Sequence, residues 1–349
     1  MHQPKRTAAR VVIVASAAAL LTACQDAVAP SPDADLFGPD VVGHLAVMFD
    51  RSSADVLSLP GAVFVDHDEV NNRLVFGVEN AGATRGVLNA LSRIGVPASA
   101  VNVQVTEPIY QLATLRDRFR PTQGGIQIHF GQFLCTLGFN VSHSGGRSFI
   151  TNSHCTNKQG GTEGTQYRQP LSTVDPTVIA TEAADPRYFR RGACPRGRQC
   201  RYSDAARALY TSSVPSNRGE IARTTGPNNG SVTVAGTFNV TAQDNNTSSF
   251  PIGLVVNKVG RTTGWTQGQI TNTCVNTNVS GTNITQLCQT FVSAGVGGGD
   301  SGSPVFRITS GDNVTLVGIL WGGSSNGGSF VFSPLRQIQQ ELGAVTATK

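Results

Sequence analysis

The 349-residue chain carries 39 glycines, 7% aromatic and 14% charged residues, and a formal net charge of +5. That composition argues against a helical, charge-rich protein and favours a turn-rich, all-β, exported one, and the length allows more than one domain. The positive excess is too small to make nucleic acid a partner, and no apolar run is long enough for a membrane-spanning helix.

Lys5, Arg6 and Arg10 precede an apolar run over residues 11–21 that is broken only by Ser16. The run suits the hydrophobic core of a signal peptide. It ends in Leu21-Thr22-Ala23-Cys24, which resembles a bacterial lipobox. That resemblance implies a signal over residues 1–23 and lipidation of Cys24, whose acyl chains would hold the protein to a membrane surface. An ordinary cleaved signal, with Cys24 near the cut by chance, is the alternative. Residues 25–40 hold three prolines and four aspartates, so residues 24–44 read as a flexible acidic linker.

Residues 45–110 read as a small α+β domain. Two β-prone runs, 62–66 and 73–79, flank the polar stretch Asp66-His67-Asp68-Glu69-Val70-Asn71-Asn72 and predict a hairpin. A helix is expected from about Thr84, with Val87, Leu88, Leu91 and Ile94 on one face and Gly95 as its stop. Residues 101–105 alternate like a returning strand. His67 reads as a solvated turn residue, with no metal spacing around it. Residues 111–123, with Arg116, Arg118, Arg120 and Pro121, are expected to form a linker and protease-sensitive junction.

The remaining residues, 124–349, carry the chemistry. Ser301 lies in Val296-Gly297-Gly298-Gly299-Asp300-Ser301-Gly302-Ser303-Pro304. Glycines flanking a serine let the backbone approach a ligand closely and aim the N–H groups of Gly299 and Ser301 at a developing negative charge. A serine nucleophile needs a base and an orienting acid. Thr151-Asn152-Ser153-His154-Cys155 offers the base, and Tyr202-Ser203-Asp204-Ala205-Ala206 offers the acid. Asp175 and Asp185 compete for the acid's role, but each precedes a proline in a loop-like context, whereas Asp204 leads into an apolar run. His129 and His143 read as ordinary strand and loop residues.

The order His154, Asp204, Ser301, with His-Cys and Gly-Asp-Ser-Gly contexts, resembles the chymotrypsin-like (trypsin-fold) serine peptidases, most nearly the secreted bacterial streptogrisin and alpha-lytic type. The resemblance covers roughly residues 124–343. It implies two antiparallel six-stranded β-barrels with a C-terminal helix, a catalytic triad of His154, Asp204 and Ser301, and an oxyanion hole at Gly299 and Ser301. No cofactor or metal is expected. By position and general similarity, the small domain would be a pro-region that aids folding or inhibits; a permanent docking domain is the other reading. A cut at residues 111–123 would free the catalytic domain from a lipid on Cys24 unless the pieces stay associated.

Seven cysteines are odd in number, and Cys24 accounts for one. Cys135 and Cys155 stand on strands joined by a turn, and the resemblance implies their pairing. Cys194 and Cys200 are close enough to close a surface loop, which leaves Cys274 and Cys288; six cysteines nevertheless allow fifteen connectivities. The six arginines over residues 187–201 could attract an acidic substrate or anionic lipid, although a solvated loop is the plainer reading. Ser333-Pro334 would cap a helix whose apolar face is Leu335, Ile338 and Leu342, with Gly343 as its stop.

By the resemblance, Gly295 would floor the substrate pocket, and Trp321 and Gly322 would form a wall. With no acidic side chain there, the residue before the scissile bond is expected to be neutral or apolar, because a buried cation needs a carboxylate. Three positions depart from the family pattern: Ser303 stands for a glycine, Asn152 for an alanine, and no cysteine precedes Ser301. The whole reads as an exported, cell-envelope or secreted, monomeric serine endopeptidase acting on polypeptides. Its rivals are a non-catalytic surface-binding protein that kept the fold, and an esterase-like hydrolase, which the lack of a Gly-x-Ser-x-Gly elbow disfavours.

Overall fold

The computed structural model describes residues 39–109 and 111–349. The expected signal, Cys24 and the acidic stretch up to residue 38 lie outside the described residues. The chain divides into two units, one ending at Tyr110 and one running from Gln111 to Lys349.

The described part of the first unit contains α1 (Pro39–Leu57), β1 (Ala62–Asp68), β2 (Arg73–Val78), α2 (Ala81–Arg93) and β3 (Val101–Val105). β1 and β2 form the expected hairpin, and β3 adds to β2 in parallel. Asp68 accepts the Asn71 N–H in the turn, where Asn72 takes a φ of 50°. The Asn80 side chain caps α2 by accepting the Ala83 N–H, and Gly95 stops the helix at a φ of 78°. The apolar face of α2 is rotated from the expected one: Val87, Ala90 and Leu91 are buried, while Leu88 faces outward.

Helix α1 begins inside the stretch read as linker. Gly43, Ser52 and Ser53 weaken its intrinsic propensity, but Leu45, Met48, Phe49 and Val56 recur at helical spacing, a signal that sequence reading passed over. Burial of Leu45 and Val56 against Leu74, Phe76 and Leu91 holds it in place. Tertiary packing supplies what propensity does not.

In the second unit β4 (Thr122–Gly124), β5 (Gln127–Phe130), β6 (Phe133–Thr136), β7 (Phe139–His143), β8 (Gly146–Thr151), β9 (Gln166–Tyr167) and β10 (Ala180–Ala184) come first. They are followed by β11 (Gln199–Arg201), β12 (Ala206–Tyr210), β13 (Ser216–Thr224) and β14 (Val234–Gln243). The last group is β15 (Val255–Gly260), β16 (Gly264–Asn278), β17 (Ile284–Ser293), β18 (Pro304–Ser310), β19 (Asn313–Gly323), β20 (Phe330–Pro334) and the helix α3 (Leu335–Leu342).

The pairings close two antiparallel six-stranded barrels. In the first, β7 continues β6 across Leu137-Gly138, and the path β7-β8-β12-β10-β9 returns through a His129–Arg168 bridge to the β5–β6 hairpin. In the second, β17-β16-β15-β18-β19 is closed by β20, which pairs with both β19 and β17. Closure leaves no free edge among these strands. The hairpin β13–β14 joins the barrels, pairing in parallel with β4 and β19. The first core gathers Phe139, Phe149, Tyr167 and Phe238, and the α3 residues Leu335, Ile338 and Leu342 seal it as the sequence suggests.

Two expectations need correcting. Ser333 does not cap α3: Pro334 holds that position with no side-chain cap, and Ser333 is buried at the site described below. Residues 111–123 are part of the barrel unit. Leu115 and Thr122 are fully buried, the Leu115 N–H donates to Val232, and β4 pairs with β13. Arg118 and Arg120 both bind Asp175, at 2.7 and 3.1 Å. Hydrogen bonds from Thr177 and Arg118, with the Arg120 charge, hold the Asp175 carboxyl well below the usual carboxylate range against a smaller opposing effect of burial.

Limited proteolysis of the folded chain should therefore spare residues 115–123. Asp175→Asn should open them to trypsin and destabilise the unit by about 1–3 kcal/mol at neutral pH. A carboxylate with a lowered folded pKa stabilises above its unfolded value, about 3.9, and loses that contribution as pH falls toward the folded value. The stability gap between variant and parent should accordingly narrow below about pH 4, as urea titrations across pH would show.

Candidate active site

The fold brings His154 and Asp204 together at one end of the antiparallel β8–β12 pair, where Thr151 faces Ala206. β8 ends at Thr151, a single 3-10 turn carries Ser153–Cys155, and β12 begins just after Asp204 and pairs with β8. The Asp204 carbonyl accepts the Ser153 N–H at 3.2 Å and the Asn152 side-chain amide at 2.7 Å. Asn152, where an alanine was expected, therefore ties the histidine turn to the acid's backbone.

The Asp204 carboxylate then grips His154 twice. Oδ1 accepts the His154 N–H at 3.2 Å, and Oδ2 meets His154 Nδ1 in a short hydrogen bond. Asp204 is buried, whereas the His154 side chain keeps 31% of its surface exposed. Burial pulls the imidazole pKa down, but the Asp204 charge and hydrogen bond outweigh it, so the net shift is upward. For Asp204 burial pushes up, and His154, the hydrogen bonds and Arg201 together bring the carboxyl below its ordinary value.

Behind this pair sits a buried guanidinium that sequence reading treated as one more loop arginine. Arg201 is 1% exposed; its Nη1 binds Asp185 at 2.6 Å and its Nη2 binds Glu341 of α3 at 3.0 Å and the Ala205 carbonyl at 2.8 Å. Glu341 also accepts the N–H groups of Tyr202 and Ser203. Asp185 accepts the Ser153 hydroxyl and the Gly160 N–H. Asp185 thus braces the histidine turn and does not touch the imidazole, and Asp175 is occupied by Arg118 and Arg120. Of the three candidate acids, Asp204 alone meets His154.

Ser333 completes the support. Its hydroxyl accepts the Asp204 N–H at 3.1 Å and donates to Gln289 Oε1, which also accepts the Trp321 indole N–H. His129 and His143 lie elsewhere, their ring nitrogens accepting the Ser172 and Gly145 N–H groups.

Ser301 reaches the same place from the second barrel. Its carbonyl accepts the Thr136 N–H at 2.8 Å, and Sγ of Cys155 lies 4.0 Å from that carbonyl oxygen. The Cys135–Cys155 disulfide is therefore flanked by His154 on one side and Ser301 on the other. The other two disulfides, Cys194–Cys200 and Cys274–Cys288, also pair as read from spacing. Gly299 and Gly302 take φ of 95° and 91°, and a Cβ on Gly302 would come within 2.2 Å of the Thr136 carbonyl. Among the described residues the N–H groups of Gly299 and Ser301 find no protein acceptor, and Ser301 Oγ has no hydrogen-bond partner.

The serine turn is held by a second buried ion pair. Asp300 is fully buried and binds Lys258 of β15, also fully buried, at 3.2 Å. The same carboxylate accepts the N–H groups of Gly297, Thr262 and Thr263. Lys258 donates as well to the Gly264 carbonyl and the Thr263 hydroxyl. Ser303, where a glycine was expected, is buried and donates to the Asp300 carbonyl at 2.6 Å. Its hydroxyl fills space left by Gly260, whose missing Cβ would stand 2.2 Å away. Sequence reading missed Lys258; an isolated lysine in an otherwise uncharged strand is the signal that could have found it.

A cavity of about 300 Å³ opens beside Ser301, lined by Val296, Gly297, Gly298, Leu320 and Gly323. Its lining is neutral. Gly322 also lines it, whereas Gly295 and Trp321 do not. Gly295 lines a separate hollow with Asn228 and Thr266, and its carbonyl accepts the Thr266 hydroxyl. Trp321 is held by Gln289 against a neighbouring cavity of about 460 Å³ that contains His154 and Gln159. The two cavities share Gly322 and Gly323, so they form one cleft across the barrels. One cluster of metal-ligand type, Cys135, His154 and Cys155, occurs among the described residues, but both sulfurs are in the disulfide and offer no thiolate.

No family model matches the chain. Among solved structures, it is similar to Thermobifida fusca protease A, with 25% identity over 65% of this chain and 98% of that one at a TM-score of 0.46. It is similar also to a glutamic-acid-specific serine protease, with 24% identity over 65% and 100% at 0.46. A third likeness is to Cellulomonas bogoriensis chymotrypsin, with 23% identity over 65% and 98% at 0.45.

Removing one partner of a buried ion pair strands the other, so Lys258→Met should cost about 3–5 kcal/mol in urea unfolding. Lys258→Arg, which keeps the charge, should recover most of that stability. Equal stability of Lys258→Met and the parent would show that the pair does not hold the serine turn.

Proposed function

We propose that the chain is an exported serine endopeptidase that cleaves polypeptides through His154, Asp204 and Ser301. The observation that carries this reading is a convergence in one cleft. A buried Asp204 orients His154, and Ser301 stands across the shared disulfide on a turn with two uncommitted N–H groups. In the reaction, Ser301 Oγ attacks the scissile carbonyl while His154 takes its proton. The oxyanion is met by the N–H groups of Gly299 and Ser301. His154 returns the proton to the leaving amine, and water then releases the acyl group by the same steps in reverse. Asp204 holds the imidazole tautomer and stabilises the imidazolium without taking a proton itself.

The neutral cavity beside Ser301 supports a neutral or apolar residue before the scissile bond. Val296 narrows it, since its Cγ1 lies 2.5 Å from where a Cβ on Gly323 would be. Export, lipidation at Cys24 and a folding or inhibitory role for the small unit belong to the same proposal. A cut that releases the barrel unit would fall between Val105 and Leu112, where Ile109 and Leu112 are exposed, rather than in the packed residues 115–123. The second reading is a non-catalytic surface protein; on its side stands the absence of a hydrogen bond from Ser301 Oγ to His154 among the described residues.

A fluorophosphonate should label the barrel unit once, with no label on Ser301→Ala by intact mass. Failure to label a protein cut before Gln111 would sink the enzyme reading in favour of the binding protein. Because the base must be neutral, kcat/KM should rise with pH, with a midpoint above the ordinary imidazole value of about 6.5. Asp204→Asn should cut kcat by about 10⁴-fold and move that midpoint down. Peptides with Lys or Arg before the scissile bond should be cleaved at least about tenfold less efficiently than those with Leu or Ala, for want of a carboxylate in the pocket.

A further inference from the structure

We propose that the arginine-rich loop over residues 187–198 is a second recognition point, binding an acidic stretch of the polypeptide substrate at the outer edge of the cleft. The inference rests on the peptidase reading and adds the substrate's charge to it.

No aspartate or glutamate occurs from Arg187 to Arg201. Two of the six arginines have structural duties: Arg201 is the buried guanidinium behind Asp204, and Arg198 binds the β16–β17 hairpin at Thr282, Ile284 and Thr285. The other four, Arg187, Arg190, Arg191 and Arg196, are exposed. None of them enters an ion pair among the described residues. Arg190 makes one long contact, 3.4 Å to the Gln199 amide oxygen. Their cationic heads are therefore available.

The loop is also firmly mounted. The Cys194–Cys200 bridge closes its tip around Arg196, β11 pairs in parallel with β17, and Phe189 and Cys200 exchange both backbone hydrogen bonds. Phe189 stacks on Tyr202 with ring centroids 5.9 Å apart. A charged surface held this way loses little conformational freedom when a ligand binds.

Its position selects the ligand. The hairpin that Arg198 grips carries Thr277, Asn278 and Val279, which wall the cavity beside His154. Tyr188, next to Arg187, accepts a hydrogen bond at 2.7 Å from Gln159, which lines the same cavity. The arginine loop thus backs one wall of the cleft and touches another. A polypeptide leaving the cleft past Trp321 would run along it, and carboxylates there would meet guanidinium groups suited to bind them in pairs. Continuity with the cleft favours a peptide over a lipid surface.

The test uses the full chain and two peptides with one scissile sequence, preceded by a run of glutamates or of glutamines. Binding is measured on Ser301→Ala and cleavage on the parent. The glutamate peptide should bind about tenfold more tightly at low salt, as expected for several exposed pairs, and show a similar gain in kcat/KM through a lower KM. The difference should vanish at about 0.5 M salt and in the R187Q/R190Q/R191Q/R196Q variant, which should cleave the glutamine peptide as the parent does. Equal binding of the two peptides, or a difference that survives in the variant, overturns the proposal. If the peptides bind equally while phosphatidylserine vesicles hold the parent and not the variant, the loop is a lipid contact instead. A binding difference without any cleavage would sink the peptidase reading and leave the loop's assignment standing.

Discussion

The site depends on a positive charge placed where water cannot reach it. Arg201 joins the histidine turn through Asp185, the Asp204 segment through Ala205 and Glu341, and the C-terminal helix through Glu341 itself. Each carboxylate would be costly to bury alone, and a lone guanidinium equally so. Together they satisfy one another, and every one of them is also bonded to backbone N–H or carbonyl groups of the segments they hold. Such a cluster contributes less to net stability than its contacts suggest, because desolvation offsets most of the attraction. Its effect is geometric: none of the three segments can shift without stranding a charge.

The second barrel repeats the device. Lys258 and Asp300 are a buried cation and carboxylate of opposite strand and turn, and the carboxylate gathers three backbone N–H groups from two segments. This leaves the N–H groups of Gly299 and Ser301 free. Around them the Gly297 N–H goes to this carboxylate, and the Asp300, Gly302 and Ser303 N–H groups go to backbone carbonyls, so the uncommitted pair is what the turn offers to an anion. The Lys258–Asp300 pair belongs to the second barrel, the Arg201 cluster ties β11 to Asp185 and to α3, and the Cys135–Cys155 bridge joins β6 to the imidazole turn and lies against the Ser301 carbonyl.

Substitutions that look like departures from a family pattern acquire roles in this packing. Asn152 donates to the backbone of Asp204, and Ser303 fills the space beside Gly260 while bonding to Asp300. Ser333, whose position before a proline suggested a helix cap, accepts the Asp204 N–H instead. The Asp204 and Asp300 carbonyls thereby gain a second donor beside the N–H groups of Ser153 and Ser303, and the Asp204 N–H gains an acceptor it would otherwise lack.

By itself the sequence determined the features that local chemistry governs. Glycine around Ser301, the His-Cys pair, cysteine spacing, strand alternation and the apolar stripe of the last helix each write a short-range rule, and the β-rich class, the two nearest-neighbour cysteine pairs and the candidates His154, Asp204 and Ser301 were legible from them. The two barrels and the Cys135–Cys155 bridge followed only from the resemblance that those motifs carry. What only the tertiary structure decided involves partners far apart in the chain. Arg201 and Glu341 are 140 positions apart, and no local pattern distinguishes a buried arginine from its exposed neighbours in the same loop. Helix α1 carries an apolar stripe at helical spacing but interrupts it with Gly43, Ser52 and Ser53, and the packing of Leu45 and Val56 holds it in place. Residues 111–123 look like a linker by composition, yet Leu115 and the Asp175 contacts build them into the barrel. Gly295 lies apart from the cavity beside Ser301, its carbonyl accepting the Thr266 hydroxyl of β16. Burial and the pairing of charge are properties of the folded surroundings, and a side chain's own identity does not contain them.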